Sequence, residues 1–111
     1  MGFGVLRQRQ PRKPEPEYLA WLRKQPCACG CLRRPPSDAA HLRASSPEYD
    51  KPAAGIGAKP QDKWALPLNH WCHMRQHAHW GELEWWKERG VKDPFALCLE
   101  HHQRYLAEKK R

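Results

Sequence analysis

No stretch of the chain approaches the roughly 18 apolar residues that a membrane span requires, and the opening MGFGVLRQRQ lacks the apolar centre of a signal peptide. An N-myristoylation pattern is missing too, because Leu6 stands where Ser or Thr is needed. These absences lead to the expectation of a soluble, cytoplasmic protein with no membrane partner. No segment repeats, and 111 residues leave room for one small core. A secreted disulfide framework is also missing: the cysteines number five, an odd count, and three of them crowd into CACGC, where neighbours two apart are poorly placed to bridge. In a reducing compartment that crowding points to metal.

What the chain does have is positive charge and proline. Net charge is +8, with 11 prolines and a low mean hydropathy of -0.97, which suggests a compact centre with loose ends. The charge is uneven. Residues 1–34 carry eight Lys or Arg against two Glu, residues 87–111 carry seven against four acids, and the middle is close to neutral. Basic ends around a neutral centre suit a polyanion-binding protein, as they also suit a basic protein with solvated tails.

Along the chain, residues 1–15 read as a flexible basic arm and 16–111 as a single domain. PEYLAWLRKQ is expected to be a helix with Pro16 as its first residue and Pro26 beyond its end. Cys27 to Pro36 forms a turn-rich knuckle. SDAAHLR (37–43) and KWALPL (63–68) are candidate strands, joined by a long Gly/Pro-rich loop. A helix follows Asn69 as N-cap, another spans about Glu82 to Arg89 and stops at Gly90, and Asp93 with Pro94 starts the last. The centre is a ββα unit over about 27–80, with C-terminal helices over about 82–110.

The segment LNHWCHMRQHAHW (68–80) puts four histidines and a cysteine into thirteen positions. His73 and His77, four apart, lie one above the other on a helix and can reach one ion. Imidazole suits Zn, Ni, Cu or Fe better than Mg. Upstream stand Cys27, Cys29 and Cys31, and a lone His41 in PSDAAHLR; then come GIGAKPQDKWALPLNHWCHMRQH and WGELEWWKERGVKDP. From about residue 26 to residue 95 this order resembles the HNH, or ββα-metal, nucleases, and among them the phage and prophage group related to the recombination-enhancement nucleases. Their pattern is a cysteine knuckle, a strand ending in histidine, a G-x-G-x-K-x-x-D loop, and P-L-C-x-x-C/H-H-x-x-x-H followed by Gly and an aromatic pair.

The resemblance implies a small α+β fold with a treble-clef-like ββα-metal core, flanking helices and a mobile basic arm. It implies a divalent-metal-dependent DNA endonuclease of low sequence specificity, leaving a 5′-phosphate and a 3′-hydroxyl. His41 matches the general base, a role that a neutral imidazole can fill near neutral pH. His73 and His77 match the ligands of one catalytic divalent metal (Mg, Mn, Ni or Zn). Asp62 falls near the family's base-orienting Asn, and Arg43, Lys59 and Arg75 are placed to meet nucleic-acid phosphates. The implied partners are DNA, duplex or single strand, and a phage or host recombination protein in a bacterial cytoplasm.

Three positions depart from the pattern. Ala40 stands where many members carry a further ligand, which leaves Asp38 or water in that role, or makes His41 itself the ligand. Asp62 replaces the Asn by position only. Asn69 replaces a cysteine of the family's structural zinc cage, so a structural Zn would use Cys27, Cys29, Cys31 and Cys72, though three ligands at every second residue strain one tetrahedron, or His70 in place of one cysteine. Ala40 and Asn69 favour a second reading, a metal-stabilised nucleic-acid-binding module without catalysis, against which His41, His73 and His77 stand; a phage structural or adaptor protein that uses zinc only to fold is a third. His79 is expected at the surface or on phosphate, His102 on the apolar face of the last helix beside a buried Cys98. Trp64, Trp71, Trp80, Trp85 and Trp86 are expected to supply the core.

Overall fold

A computed structural model describes residues 13–31, 33–52 and 60–110. Nearly all of the expected arm, the middle of the long loop and Lys59 lie outside the described residues. The elements run α1 (Pro16–Arg23), β1 (Asp38–His41), β2 (Ala65–Leu68), α2 (His70–Ala78), α3 (Glu82–Glu88) and α4 (Pro94–Lys109), with short 3-10 turns at Pro47–Tyr49 and Asp62–Trp64. The domain is α+β, with four helices around one two-stranded antiparallel sheet among the described residues. No helix among the described residues is long and apolar enough to cross a membrane.

Helix starts follow local chemistry. The Asn69 side chain accepts a hydrogen bond from Trp71 N, and Asp93 accepts from Ala96 N with Pro94 at the first helical position. Gly90, at φ +84°, ends α3 by reversing the chain, so that Gly90 N donates to Lys87 O and Val91 N to Trp86 O.

Both strands are shorter than the expected 37–43 and 63–68, for a visible reason. Beyond His41, Leu42 N still donates to Trp64 O, but the amides of Arg43 and Ala44 donate to the Glu82 carboxylate instead of to a strand. At the other end, the 3-10 turn at Asp62–Trp64 consumes the start of the second strand.

The register pairs Asp38 with Leu68, Ala39 with Pro67, Ala40 with Leu66 and His41 with Ala65. Strand alternation therefore assigns Asp38, Ala40, Leu66 and Leu68 to one face, and Ala39, His41, Ala65 and Pro67 to the other. Against the second face lies α1, whose Tyr18 and Leu22 pack with Ala39, Ala65 and Tyr105 of α4. The first face builds the larger core, where Ala40, Leu66 and Leu68 meet Cys27, Cys29, Cys72, Trp85 and Trp86.

Tryptophan divides differently from the expectation. Trp64, Trp85 and Trp86 are buried, but Trp71 is 51% and Trp80 87% exposed. Cys72 and Gln76 take the core side of α2, so Trp71, one position earlier, is turned about 100° away, and Trp80 lies beyond the helix end. On α4 the buried residues are Pro94, Phe95, Cys98 and His101. His102, expected on the apolar face, is half-buried and donates to Glu15 while its ring meets Tyr18 edge-on; the more deeply buried histidine is His101, which donates to Leu97 O. Desolvation holds the His101 ring below its usual pKa.

Replacing Leu22 by Ala should lower stability by about 2–5 kcal/mol, because a fully buried side chain would leave a cavity under Tyr18. Trp80→Ala should move the denaturant midpoint by less than about 0.5 kcal/mol equivalent. Urea titrations of the two variants beside the native chain check this contrast.

Candidate metal centre and histidine cluster

The knuckle and α2 bring four thiols to one point. Sγ–Sγ distances are 3.3 Å for Cys27 and Cys29, 3.6 Å for Cys29 and Cys72, and 3.7 Å for Cys31 and Cys72. All four sulfurs lie within 4.8 Å of one another. None is in a disulfide. A tetrahedron with Zn–S bonds of about 2.3 Å has S···S edges of about 3.8 Å, so the set fits one zinc ion after small adjustments. The four cysteines are thus positioned to hold a metal.

The alternating spacing does not obstruct this, because the knuckle is a turn. An extended strand would spread Cys27 and Cys31 by roughly 13 Å, whereas here Gly30 at φ +87° folds the segment back and Cys27 N donates to Arg33 O. Ala28 N donates to Pro67 O and pins the knuckle to β2. The fourth ligand comes from the first turn of α2, where the amide dipoles favour a thiolate. Asn69 is the N-cap of that turn, and His70 turns away from the sulfurs to Asp38.

The thiols differ in acidity. Burial pushes Cys29 well up, and also raises Cys72. Burial acts the same way on Cys31, but the Arg33 amide and the neighbouring thiols outweigh it and bring Cys31 down to about 7.

Above the cysteines, α2 carries the histidine pair. His73 and His77 approach with Nε2 atoms 3.1 Å apart. His73 Nδ1 donates to Asp38 Oδ2 at 3.0 Å, and His70 Nδ1 donates to the same oxygen at 2.8 Å. Burial pushes the Asp38 carboxyl up, yet the hydrogen bonds and charges of His73 and His70 overcome it and leave the group below its usual range. Asp38, expected as a metal ligand, therefore lies behind His73 on Nδ1, across the ring from the paired Nε2 atoms. Among the described residues, the cysteine set is the group that draws three or more ligand atoms this close together.

His41 has a separate partner. Its Nε2 donates to Asp62 Oδ1 at 2.8 Å, and Asp62 Oδ2 accepts from Glu15 N at 2.7 Å. The Asp62 side chain is 1% exposed and that of His41 17%. A buried carboxylate thus fixes the tautomer and orientation of a partly open imidazole and leaves Nδ1 as its second nitrogen. The dyad belongs to the α1 face of the sheet, whereas Asp38, which meets His73, belongs to the opposite face.

Arg43 and Arg75 are both in exposed positions, Arg75 with its guanidinium 5.4 Å from the Trp71 ring. His79, expected at the surface, is mostly covered: it caps α2, accepts from Gly81 N and lies 3.3 Å from Glu88. Sequence reading missed two groups. Glu82 receives the Arg43 and Ala44 amides, and Lys51, 3% exposed, donates through Nζ to Ala44 O and Pro52 O. Neither carries a local signal, since the backbone atoms that Glu82 meets are 38 and 39 positions away in the chain and Ala44 is seven from Lys51.

Compared with family models, with curated proteins and with solved structures, the chain matches none. What fold and site define is a small α+β domain in which a knuckle and a histidine-bearing helix bring together four cysteines positioned to hold a metal ion.

Proposed function

We propose that the protein is a metal-dependent DNA endonuclease of the HNH type, with a structural zinc on Cys27, Cys29, Cys31 and Cys72 and a second divalent ion held by His73 and His77. The observation that carries this reading is the histidine pair: two Nε2 atoms 3.1 Å apart, close to the separation of about 3.3 Å that two imidazoles have on one tetrahedral ion. A bound divalent ion would supply Lewis-acid stabilisation of the negative charge that develops on a phosphodiester.

The chain's own residues do the rest. Asp38 fixes the His73 ring through Nδ1, which leaves Nε2 as the lone-pair nitrogen. His41, held by buried Asp62, accepts a proton from water at Nδ1, and Asp62 stabilises the imidazolium so formed. Arg43, Lys59 and Arg75 bind phosphate, so affinity for DNA falls steeply with salt.

The placement of His41 and Asp38 on opposite faces of the sheet favours a second reading, a metal-stabilised module that binds nucleic acid without cutting it. Plasmid nicking separates the two. Protein stripped and reloaded with Mg, Mn, Ni or Zn should nick supercoiled DNA, and both His41→Ala and His73→Ala should abolish nicking. Plasmid left intact yet bound by every sample selects the module.

Asp38→Asn provides a finer check. Loss of the carboxylate behind His73 should weaken the divalent ion needed for nicking by about 10–100-fold, with the melting temperature nearly unchanged. An unaltered metal requirement would remove Asp38 from the site.

A further inference from the structure

We propose that the outward face of α2, with Trp71, Met74, Arg75 and the following Trp80, is a stacking platform for the unpaired bases of a single-stranded nucleic acid. The inference rests on the nucleic-acid part of the functional reading and does not require cleavage.

Helix geometry gives α2 three separate faces. At about 100° per residue, Cys72 and Gln76 point one way, His73 and His77 a second, and Trp71, Met74, Arg75 and Ala78 a third. The first is buried in the core and the second turns to Asp38. The third is open: Trp71 is 51% and Met74 55% exposed, and Trp80, stacked on His79, is 87% exposed. Large apolar groups gathered in the open mark an interaction surface. Two shallow grooves run along it, of about 290 and 410 Å³, sharing Arg75 and Ala78.

Charge identifies the occupant. α2 contains no Asp or Glu. The Arg75 guanidinium lies 5.4 Å from the Trp71 ring and that of Arg89 5.2 Å from the Trp85 ring. Glu88, the acid in the larger groove, is engaged by His79. Open indoles beside the Arg75 guanidinium, on a chain of net charge +8, complement a polyanion that exposes flat apolar rings. Unpaired nucleotides have both features, whereas a duplex hides its base faces in the stack. A purely apolar partner helix would bury Arg75 without a counter-charge.

Anisotropy of three labelled probes tests the proposal with the full-length protein: an oligothymidine, an abasic strand of equal length, and a duplex. The oligothymidine should bind at least ten-fold more tightly than the abasic strand. Trp71→Ala and Trp80→Ala should each weaken oligothymidine binding about ten-fold and leave the abasic strand unchanged, and Trp71→Phe should restore most of the loss. Circular dichroism confirms that the variants are folded. Equal losses on all three probes, or no loss, overturn the platform, as would a Trp71→Ala variant that changes only self-association in sedimentation. A native protein that binds none of the probes removes the nucleic-acid reading as well; one that binds without needing Trp71 or Trp80 removes the platform alone.

Discussion

Metal removal is expected to abolish the cooperative fold, and Cys72→Ser to do the same. Three of the four clustered thiols are buried, and Cys27, Cys29 and Cys72 belong to the larger core with Trp85 and Trp86. Without an ion this part of the core consists of desolvated sulfurs with weak mutual hydrogen bonds. Structural zinc in small domains contributes about 10–16 kcal/mol of apparent binding energy at neutral pH, comparable to or larger than the ~5–15 kcal/mol net stability of an ordinary domain. Mass spectrometry under native conditions should show one zinc on the purified chain, before any second ion is added. A chelator should eliminate the near-ultraviolet dichroism of the tryptophans and make the cysteine thiols reactive. Cys98→Ala, which alters a buried thiol outside the cluster, should retain the metal and lose only modest stability. A metal-free protein with the same melting transition as the native would show that the cluster is a packed set of thiols and nothing more.

The second large effect is expected at His41. If its ring moves a proton, His41→Ala should lower the nicking rate by about 10²–10⁴-fold with the fold and the metal content intact. Asp62→Asn should fall between native and His41→Ala, since an amide can hold the ring in place but cannot stabilise its charged form. This variant also needs a stability measurement, because Asp62 accepts from Glu15 N as well as from His41. Denaturation curves beside initial rates separate the two effects. Equal nicking by native and His41→Ala would transfer the proton role elsewhere, and the absence of nicking by the native protein would select the binding module.

Much of the helical frame was legible because its signals are local. Asn69 before α2, Asp93-Pro94 before α4 and Gly90 after α3 act within one turn, and each does what its chemistry dictates. The cysteine set and the turn-rich character of the knuckle could be named from the sequence, but not the path of the turn: Gly30, at φ +87°, lets three alternating cysteines converge with Cys72. Burial was the least legible property. Trp71 and Trp80 are as apolar as Trp85 and Trp86; the rotation of α2 imposed by Cys72 exposes Trp71, a tertiary effect, and Trp80 is exposed because it lies beyond the end of that helix. His101 and His102 are adjacent on a broad buried arc, and periodicity alone does not choose between them. Asp38 was expected as a metal ligand; its hydrogen bond to His73 Nδ1 depends on the register of Asp38 with Leu68, just before α2, which the sequence does not show.

The cysteine cluster also bears on the order of assembly. Cys31 and Cys72 are 41 positions apart, so joining them closes a loop whose entropic cost is roughly 3 kcal/mol. The knuckle thiols, by contrast, are neighbours and can meet an ion before the rest of the chain has collapsed. A folding chain that captures metal on Cys27, Cys29 and Cys31 has three ligands fixed and waits on α2 for the fourth, so docking of that helix becomes the slow, metal-dependent step. Refolding with metal present from the start should therefore be faster than refolding in which metal is added to the collapsed chain.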